Sequence, residues 1–510
     1  VRAGGRVDPR TEIDDRREVD IAIVGAGFAG LGMGIQLGRR GRESFVILER
    51  ADRVGGTWRD NRYPGVACDI PSHLYSFSFL QKLDWSEVFA SGAEIESYLE
   101  SCVEHENLSP HLRLRTEMTR AIYDEGERAW WISTTAGEYR ARTLIVAAGR
   151  LSEARTCELP GLESFPGPVF HSSAWNDEVP LASARVGVVG TGASAAQLVP
   201  EVAKLARHLV VFQRSPPYVV PRGGRAYTRE ELQAFHADPA TAQLLRERLF
   251  LEAEQSIAAR RGVQPDLDLL RARALGHLEA QVSDQALRSM LTPDYEIGCK
   301  RVVLSDDYYP ALGRDNVTLE PTALAGIDGP TAIAASGSRY SLDVLILATG
   351  FCSTRPPFAQ RITGRDAVLL ATRWERGMVA HASTVVSGFP NMFVLDGPNA
   401  SLGHNSAIEM IETQIGYVLG ALDYLAASPR AVLEVSEEAE QEYTREIDAR
   451  SRSTVWLEGG CSSWYVDEES GRLTLLWPDS ARSFRERNGT FDPRPYRDVP
   501  STSGEVAVGG

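Results

Sequence analysis

Apolar positions along this chain fall into short uninterrupted runs, each followed by glycines or by a helical stretch. That pattern predicts strands buried on both faces and connected by helices. Ile21-Ala-Ile-Val24 is the first run. After its glycines an amphipathic segment leads to Phe45-Val-Ile-Leu48, so residues 20–50 read as one βαβ unit. The same order returns at Arg185: Val186-Gly-Val-Val189 enters a second glycine-rich turn, a helix runs through Leu205, and Leu209-Val-Val-Phe212 supplies the next strand. Thr143-Leu-Ile-Val-Ala-Ala-Gly149 and Val344-Leu-Ile-Leu-Ala-Thr-Gly350 are two further buried-strand candidates of a single pattern. They are expected at the seams where the chain leaves and re-enters its first nucleotide fold.

Residues 227–291 have a different texture, rich in Ala, Leu, Glu and Arg at helical spacing, with Thr228 and Glu231 forming a capping box at the start. This predicts a helical insertion in the second domain. From about Glu486 onward, Pro, Gly, Ser and Arg replace apolar periodicity, which predicts a loosely held tail.

Composition then narrows the partners. The 510 residues carry 54 Lys and Arg against 69 Asp and Glu, a formal charge of -15. Without a basic cluster such a chain would repel a phosphate backbone, and no nucleic acid is expected. Hydrophobic residues at 43% and charged residues at 24% suit globular domains with ample cores. Cys68, Cys102, Cys157, Cys299, Cys352 and Cys461 lie far apart with no CxxC spacing, so they are expected to be reduced thiols that hold no metal and form no redox pair. The start of the chain is rich in Arg and Asp rather than apolar, and no apolar run approaches the ~18 residues of a membrane span. A cytoplasmic protein with no membrane partner is expected.

Two fingerprints carry the chemistry. Gly25-Ala-Gly27-Phe-Ala-Gly30 follows a strand and opens a helix, with Glu49 about twenty residues further on. Gly25 lets the chain turn, Gly27 lets a pyrophosphate approach the helix N-terminus, Gly30 packs helix on sheet, and Glu49 can accept a ribose hydroxyl. The second is Gly190-Thr191-Gly192-Ala-Ser194-Ala195, where Ala replaces the third glycine and only a small side chain is required. At the position of the ribose carboxylate stands Arg214, followed by Ser215. A guanidinium there suits the 2′-phosphate of NADP, which a carboxylate would repel. Two dinucleotide sites, one for NADPH, imply a flavoprotein in which the nicotinamide reduces the flavin. A disulfide reductase would need a vicinal cysteine pair after the first βαβ unit, where this chain has Gly55-Gly56-Thr57-Trp58. The electrons are therefore expected to pass to molecular oxygen.

Phe165-Pro-Gly167-Pro-Val-Phe-His171-Ser-Ser-Ala-Trp175 fits FxGxxxHxxxW, and Gly55 through Trp58, Tyr63-Pro64-Gly65 and Asp69 fit GGxWxxxxYPGxxxD. With Ala348-Thr349-Gly350-Phe351, Cys299-Lys300-Arg301, and the stretch from Tyr308-Tyr309 to Val317, these motifs resemble the single-component, FAD- and NADPH-dependent Baeyer-Villiger monooxygenases over roughly residues 20–400. After Trp175 the chain reads Asn176-Asp177, where the family continues with Pro or Asp. Gly459-Gly-Cys461-Ser-Ser-Trp464-Tyr465 is similar to a segment found in one subset of these enzymes and receives no assigned chemistry.

The resemblance implies insertion of one oxygen atom of O2 beside a ketone carbonyl, through a C4a-peroxyflavin, to give an ester or lactone. It implies Arg301 as the cation that stabilises the peroxyanion and the oxyanion of the adduct, oriented by Asp69. It further implies Gly56, Thr57 and Trp58 along the flavin, Tyr75 near the isoalloxazine, and Thr191, Ser194 and Gln197 around the NADP pyrophosphate. Lys300 is a second candidate cation for the 2′-phosphate. His171 is expected to act at a domain hinge, Trp175 as a packing anchor, and His404 in a loop bordering the substrate pocket. Alternatives are N- or S-oxygenation by the same flavin, an NADPH oxidase that releases peroxide, and a silent nucleotide-binding regulator.

The expected architecture is therefore α/β with two Rossmann-like dinucleotide-binding domains. The FAD domain is discontinuous, at 19–150 and 341–485. The NADP domain, 151–340, is inserted between these segments and carries the helical subdomain at about 227–291; residues 1–18 and 486–510 are tails.

Overall fold

The computed structural model describes residues 16–156, 158–428 and 432–498. Two sheets organise it. In the first, the strands Arg16–Val24, Phe45–Leu48 and Gly137–Val146 run parallel at the centre, and Met392–Val394 adds parallel to Gly137–Val146. Met118–Asp124 and Ala129–Thr134 extend it antiparallel. Ile21, Ala22 and Ile23 are buried, as a strand covered on both faces by other elements requires. The second sheet is wholly parallel, in the order Val317–Glu320, His208–Phe212, Arg185–Val189, Val344–Leu347 and Val169–His171.

The repeated apolar runs acquire a common role in these sheets. Thr143–Val146 lies beside the strand that ends in the first glycine turn, with Val24 opposite Val146. Val344–Leu347 lies beside the strand that ends in the second, with Val189 opposite Leu347. This corrects the boundary drawn at 340/341: Val344–Leu347 belongs to the second sheet, and the chain returns to the first sheet only after Gly350, at Ile362–Thr363.

Two other boundaries move. The first strand begins at Arg16 and pairs with Glu138, so the expected N-terminal tail of 1–18 ends earlier. The expected C-terminal tail is structured as far as Asp498. Ala481–Asn488 is a helix, Tyr496–Asp498 pairs with Leu433–Val435, and the Phe491 ring packs against Tyr417, Tyr424 and Tyr496. Residues 499–510 lie outside the described residues.

The helical insertion forms as expected between Arg229 and Leu291, and Thr228 and Glu231 make the reciprocal capping box. It docks back on the first domain. Phe235 packs edge-on against His73, while Arg246 donates to the carbonyls of His73, Leu74 and Ser76 and pairs with Glu409. A buried guanidinium needs such complete pairing, so Arg246 fixes the insertion in one pose.

The reduced-thiol expectation fails at one pair. Cys299 and Cys461 are joined by a disulfide across 162 residues, while Cys68, Cys102 and Cys352 are free. Sequence spacing could not reveal the bond because the fold itself creates the proximity. Cys157 lies outside the described residues. Among the described residues no helix is long and apolar enough to cross a membrane.

Candidate active site

One cavity of about 940 Å³ runs between the two sheets and touches both glycine turns. Gly25 (φ +107°) and Gly190 (φ +113°) turn the chain into it. A Cβ on Gly25 would lie 2.4 Å from the Ala147 carbonyl oxygen, and one on Gly190 would lie 2.4 Å from that of Ala348, so each turn is locked against its neighbouring strand. The helices that follow, Phe28–Arg39 and Ala193–Leu205, have Gly27 and Gly192 as N-caps and receive no side-chain cap. Several other helices are capped, by Ser91, Thr228, Ser406 and Ser436, although Asp266–Gln281 is not. Uncapped N–H groups facing a cavity form an anion cradle. A Cβ on Gly192 would meet nothing within 4 Å, which leaves room for a phosphate. Two pyrophosphates fit this geometry.

Around the first turn, Gly30 packs under Gly25, where a Cβ would strike the Gly25 carbonyl oxygen at 1.9 Å. Gly56 (φ +54°) lies against Gly27, its Cβ position only 3.1 Å from the Gly27 Cα. The Glu49 carboxylate accepts from Ala26 N and Ala51 N and pairs with the buried Arg59 at 2.9 Å. Carboxylate oxygens have about four acceptor sites, so capacity for a ribose hydroxyl remains. Thr57, Trp58 and Tyr75 line the cavity, with Tyr75 edge-on to Trp58 and Phe28; burial pushes the Tyr75 phenol well up.

Around the second turn, Thr191 Oγ1 donates to the Ser215 carbonyl, and Lys300 Nζ donates to Ser215 Oγ at 2.5 Å. Ser194 interacts with the Tyr63 hydroxyl, and Ala195 is buried in the first turn of the helix. Arg214 is exposed on the cavity wall. Burial and the neighbouring Arg214 charge lower the Lys300 pKa. Among the described residues neither cation has a carboxylate in salt-bridge contact, so the pair lacks a counter-ion such as a phosphate dianion would supply.

Gln197 lines the same cavity and also ties the two sheets together. Both its amide atoms are engaged by the Ala67 backbone, Nε2 donating to the carbonyl and Oε1 accepting from the N–H. It staples the loop preceding Asp69 to the helix Ala193–Leu205, and its amide keeps a second N–H and a second lone pair. Arg222 does the same through the Cys68 carbonyl. These staples bring Asp69 to Arg301, whose Nη2 and Nε donate to the same Asp69 oxygen at 2.5 and 3.0 Å. The guanidinium still has 32% of its side chain open to the cavity. The Asp69 charge holds its pKa well above the usual value, and the Tyr465 hydroxyl adds to that effect. Arg301 is therefore a fixed positive charge at every working pH.

Sequence reasoning missed Tyr465, which was noted only within an unassigned motif, and missed the buried Arg59. It also missed Arg150, which lines the cavity and pairs with Asp396. The two cysteines of the disulfide do not line the cavity and are not adjacent in sequence, so they lack the placement of a flavin-coupled redox pair.

The loop that carries His404 borders the cavity through Ser401, Leu402 and Asn405, while His404 itself does not line it. Its buried Nε2 meets Glu254 at 3.2 Å, and Glu254 also accepts from Asn405, Ala481 N and Arg482 N. Burial raises the Glu254 pKa, but these hydrogen bonds outweigh it and hold the carboxyl at about 2. His171 ends the strand Val169–His171 with its ring against Phe351, where the chain crosses back toward the first sheet. Burial lowers its pKa. Trp175 is buried edge-on to Phe170.

The pyridine nucleotide-disulphide oxidoreductase family profile matches residues 22–233. An oxidized steroid monooxygenase bound to NADP superposes with a TM-score of 0.80 at 32% identity, covering 92% of this chain and 96% of that one. The OTEMO complex with FAD and NADP superposes at 0.82 and 28% identity, with coverages of 92% and 96%. A Baeyer-Villiger monooxygenase of Streptomyces coelicolor is 41% identical over 494 residues, 96% of this chain and 95% of that protein. With that likeness running almost end to end, and with both glycine turns and the Arg301–Asp69 pair in one cavity, the chain belongs to the Baeyer-Villiger monooxygenase family.

Proposed function

We propose that this chain uses NADPH, FAD and O2 to oxygenate a ketone beside its carbonyl, giving an ester or lactone. The observation that carries the reading is the Arg301–Asp69 pair, open to the cavity that joins the two nucleotide cradles. Gly25, Gly27, Gly30, Glu49, Gly56, Thr57, Trp58 and Tyr75 would hold FAD. Gly190, Thr191, Gly192, Ser194, Ala195, Gln197, Arg214, Ser215 and Lys300 would hold NADPH. Once reduced by NADPH, the flavin supplies activated oxygen.

The protein's contribution is electrostatic. Arg301 holds negative charge where oxygen is delivered and then stabilises the alkoxide that develops on the substrate carbonyl oxygen. Asp69 orients Arg301 and supplies the partner that a half-buried guanidinium requires. The apolar remainder of the cavity limits water near the reacting atoms. Product masses from linear, cyclic and aryl ketones, with sulfides alongside, test the reaction class. Esters support it, and sulfoxides without esters favour heteroatom oxygenation.

Coenzyme choice follows from Arg214 and Lys300, neither of which has a carboxylate in salt-bridge contact among the described residues. Arg214→Ala is expected to raise the KM for NADPH by ~10- to 100-fold, the worth of one charge-assisted hydrogen bond, and to leave the KM for NADH nearly unchanged. Steady-state kinetics with both coenzymes provide the check; equal effects would remove Arg214 from the 2′-phosphate.

His171 serves the crossing between the sheets. Burial lowers the pKa of its ring, and its Nδ1 is engaged by the Ser173 hydroxyl and N–H. His171→Ala should slow turnover while the pH profile of kcat/KM keeps all its ionisations. Loss of one ionisation with normal flavin reduction would make His171 a proton-transfer group instead.

A further inference from the structure

The disulfide stands apart from the chemistry above, yet both its ends lead to the cation. Cys299 lies two residues before Arg301, and Cys461 lies four before Tyr465, whose hydroxyl interacts with the Arg301 guanidinium. Cys461 belongs to a strap, residues 459–472, that lines the cavity through Ser462, Ser463, Trp464 and Glu468. Its attachment to the Cys299 side is close. Glu296 N donates to the Gly459 carbonyl at 2.9 Å, and a Cβ on Gly459 would lie 2.6 Å from Cys299 Cβ. Further along, Asp467 pairs with Arg355 and Glu468 with Arg155. The exposed Arg155–Glu468 pair is weak in water. The disulfide is the covalent tie between this strap and the segment that bears Arg301, beside the Glu296–Gly459 hydrogen bond and the shared burial of Tyr465, Ile297 and Val302.

We propose that the Cys299–Cys461 bond is a positioning brace for the oxygenation site, and that a dithiol reductant opens it and uncouples NADPH oxidation from ester formation. Cys299 is fully buried, whereas Cys461 is partly exposed, so attack falls on the Cys461 sulfur. A thiolate of the dithiol forms a bond to Cys461 Sγ, the S–S bond breaks, and Cys299 leaves as a thiolate that takes up a proton. The second thiol of the reductant then attacks its own sulfur in the mixed disulfide and releases Cys461 as a thiolate, which is protonated in turn. Two electrons reduce the cysteine pair, and the dithiol becomes a cyclic disulfide. With the bond open, Tyr465 and the 299–301 segment lose their fixed separation. Arg301 keeps its charge and its partner Asp69 but loses its pose, and oxygen escapes as hydrogen peroxide.

The inference rests on the reading of Arg301 given above, so its test has two readouts. In holoenzyme treated with dithiothreitol and in the Cys299→Ser/Cys461→Ser double variant, ester formed per NADPH oxidised should fall several-fold with FAD still bound. Reoxidation should restore the wild type, and the double variant should not respond to the reductant. Hydrogen–deuterium exchange of peptides covering 296–304 and 459–472 should quicken in both forms, whether or not a ketone is turned over. Unchanged exchange, or coupling that is the same in all forms, overturns the brace. So does the absence of a Cys299–Cys461 cross-linked peptide from non-reduced digests. Quickened exchange in an enzyme that oxygenates no ketone would leave the strap attachment standing and would instead sink the reaction assigned above.

Discussion

Arg301→Ala is expected to retain FAD and to lose ester formation by ~100- to 1000-fold, the loss typical when one preorganised charge partner of a developing oxyanion is removed. Flavin should stay bound because the Gly25–Gly30 turn and Glu49 are untouched by the substitution. NADPH should still be oxidised, more slowly or with hydrogen peroxide as the product. Asp69→Ala should give a milder form of the same defect, since Arg301 would keep its charge and its Tyr465 contact while losing its orientation. The comparison to make is ester against peroxide, each per NADPH consumed. Ketone conversion by Arg301→Ala at the wild-type rate would end the catalytic assignment.

Gly25→Ala is expected to yield a destabilised protein that purifies without flavin. The new methyl carbon would sit 2.4 Å from the Ala147 carbonyl oxygen at a φ of +107°, so both sterics and backbone conformation oppose it. Strain and overpacking together amount to about 2–5 kcal/mol, enough to displace the turn that aims the helix N-terminus at the pyrophosphate. Gly192→Ala is the informative contrast. Its methyl meets no protein atom and intrudes only on the open cradle, so folding and FAD content should be normal while NADPH binding weakens. Flavin absorbance of the purified variants and their melting temperatures check both outcomes. A Gly25→Ala protein with full flavin content would contradict the account of the first turn.

The legible parts of this molecule are those whose physics is local. Each glycine turn is set by the strand before it, the helix after it and its own backbone, all within one short stretch, and the Thr228–Glu231 capping box is equally self-contained. Contacts between distant segments were not legible from pattern. Asp69 and Arg301 stand 232 residues apart and were paired only through the family motif. Tyr465, Arg246 and the Cys299–Cys461 bond had no such guide. His404 sits in a polar loop whose partner, Glu254, arrives from an insertion helix 150 residues earlier. Phe491, flanked by Thr490 and Asp492, gives no periodicity, so the packing of the C-terminal segment could not be foreseen. Val344–Leu347 was recognised as a buried strand, but its sheet depends on strand order, which an apolar run does not encode.

The central claim is that one atom of molecular oxygen enters a ketone at a site built around Arg301. Turnover of a cyclic ketone with NADPH under isotopically labelled dioxygen, followed by mass analysis of the product, tests it most directly. The account predicts a lactone carrying one labelled oxygen atom in the wild type and, in Arg301→Ala, labelled hydrogen peroxide with little lactone. Unlabelled product, or an untouched ketone in an enzyme that oxygenates a sulfide under the same conditions, would contradict it.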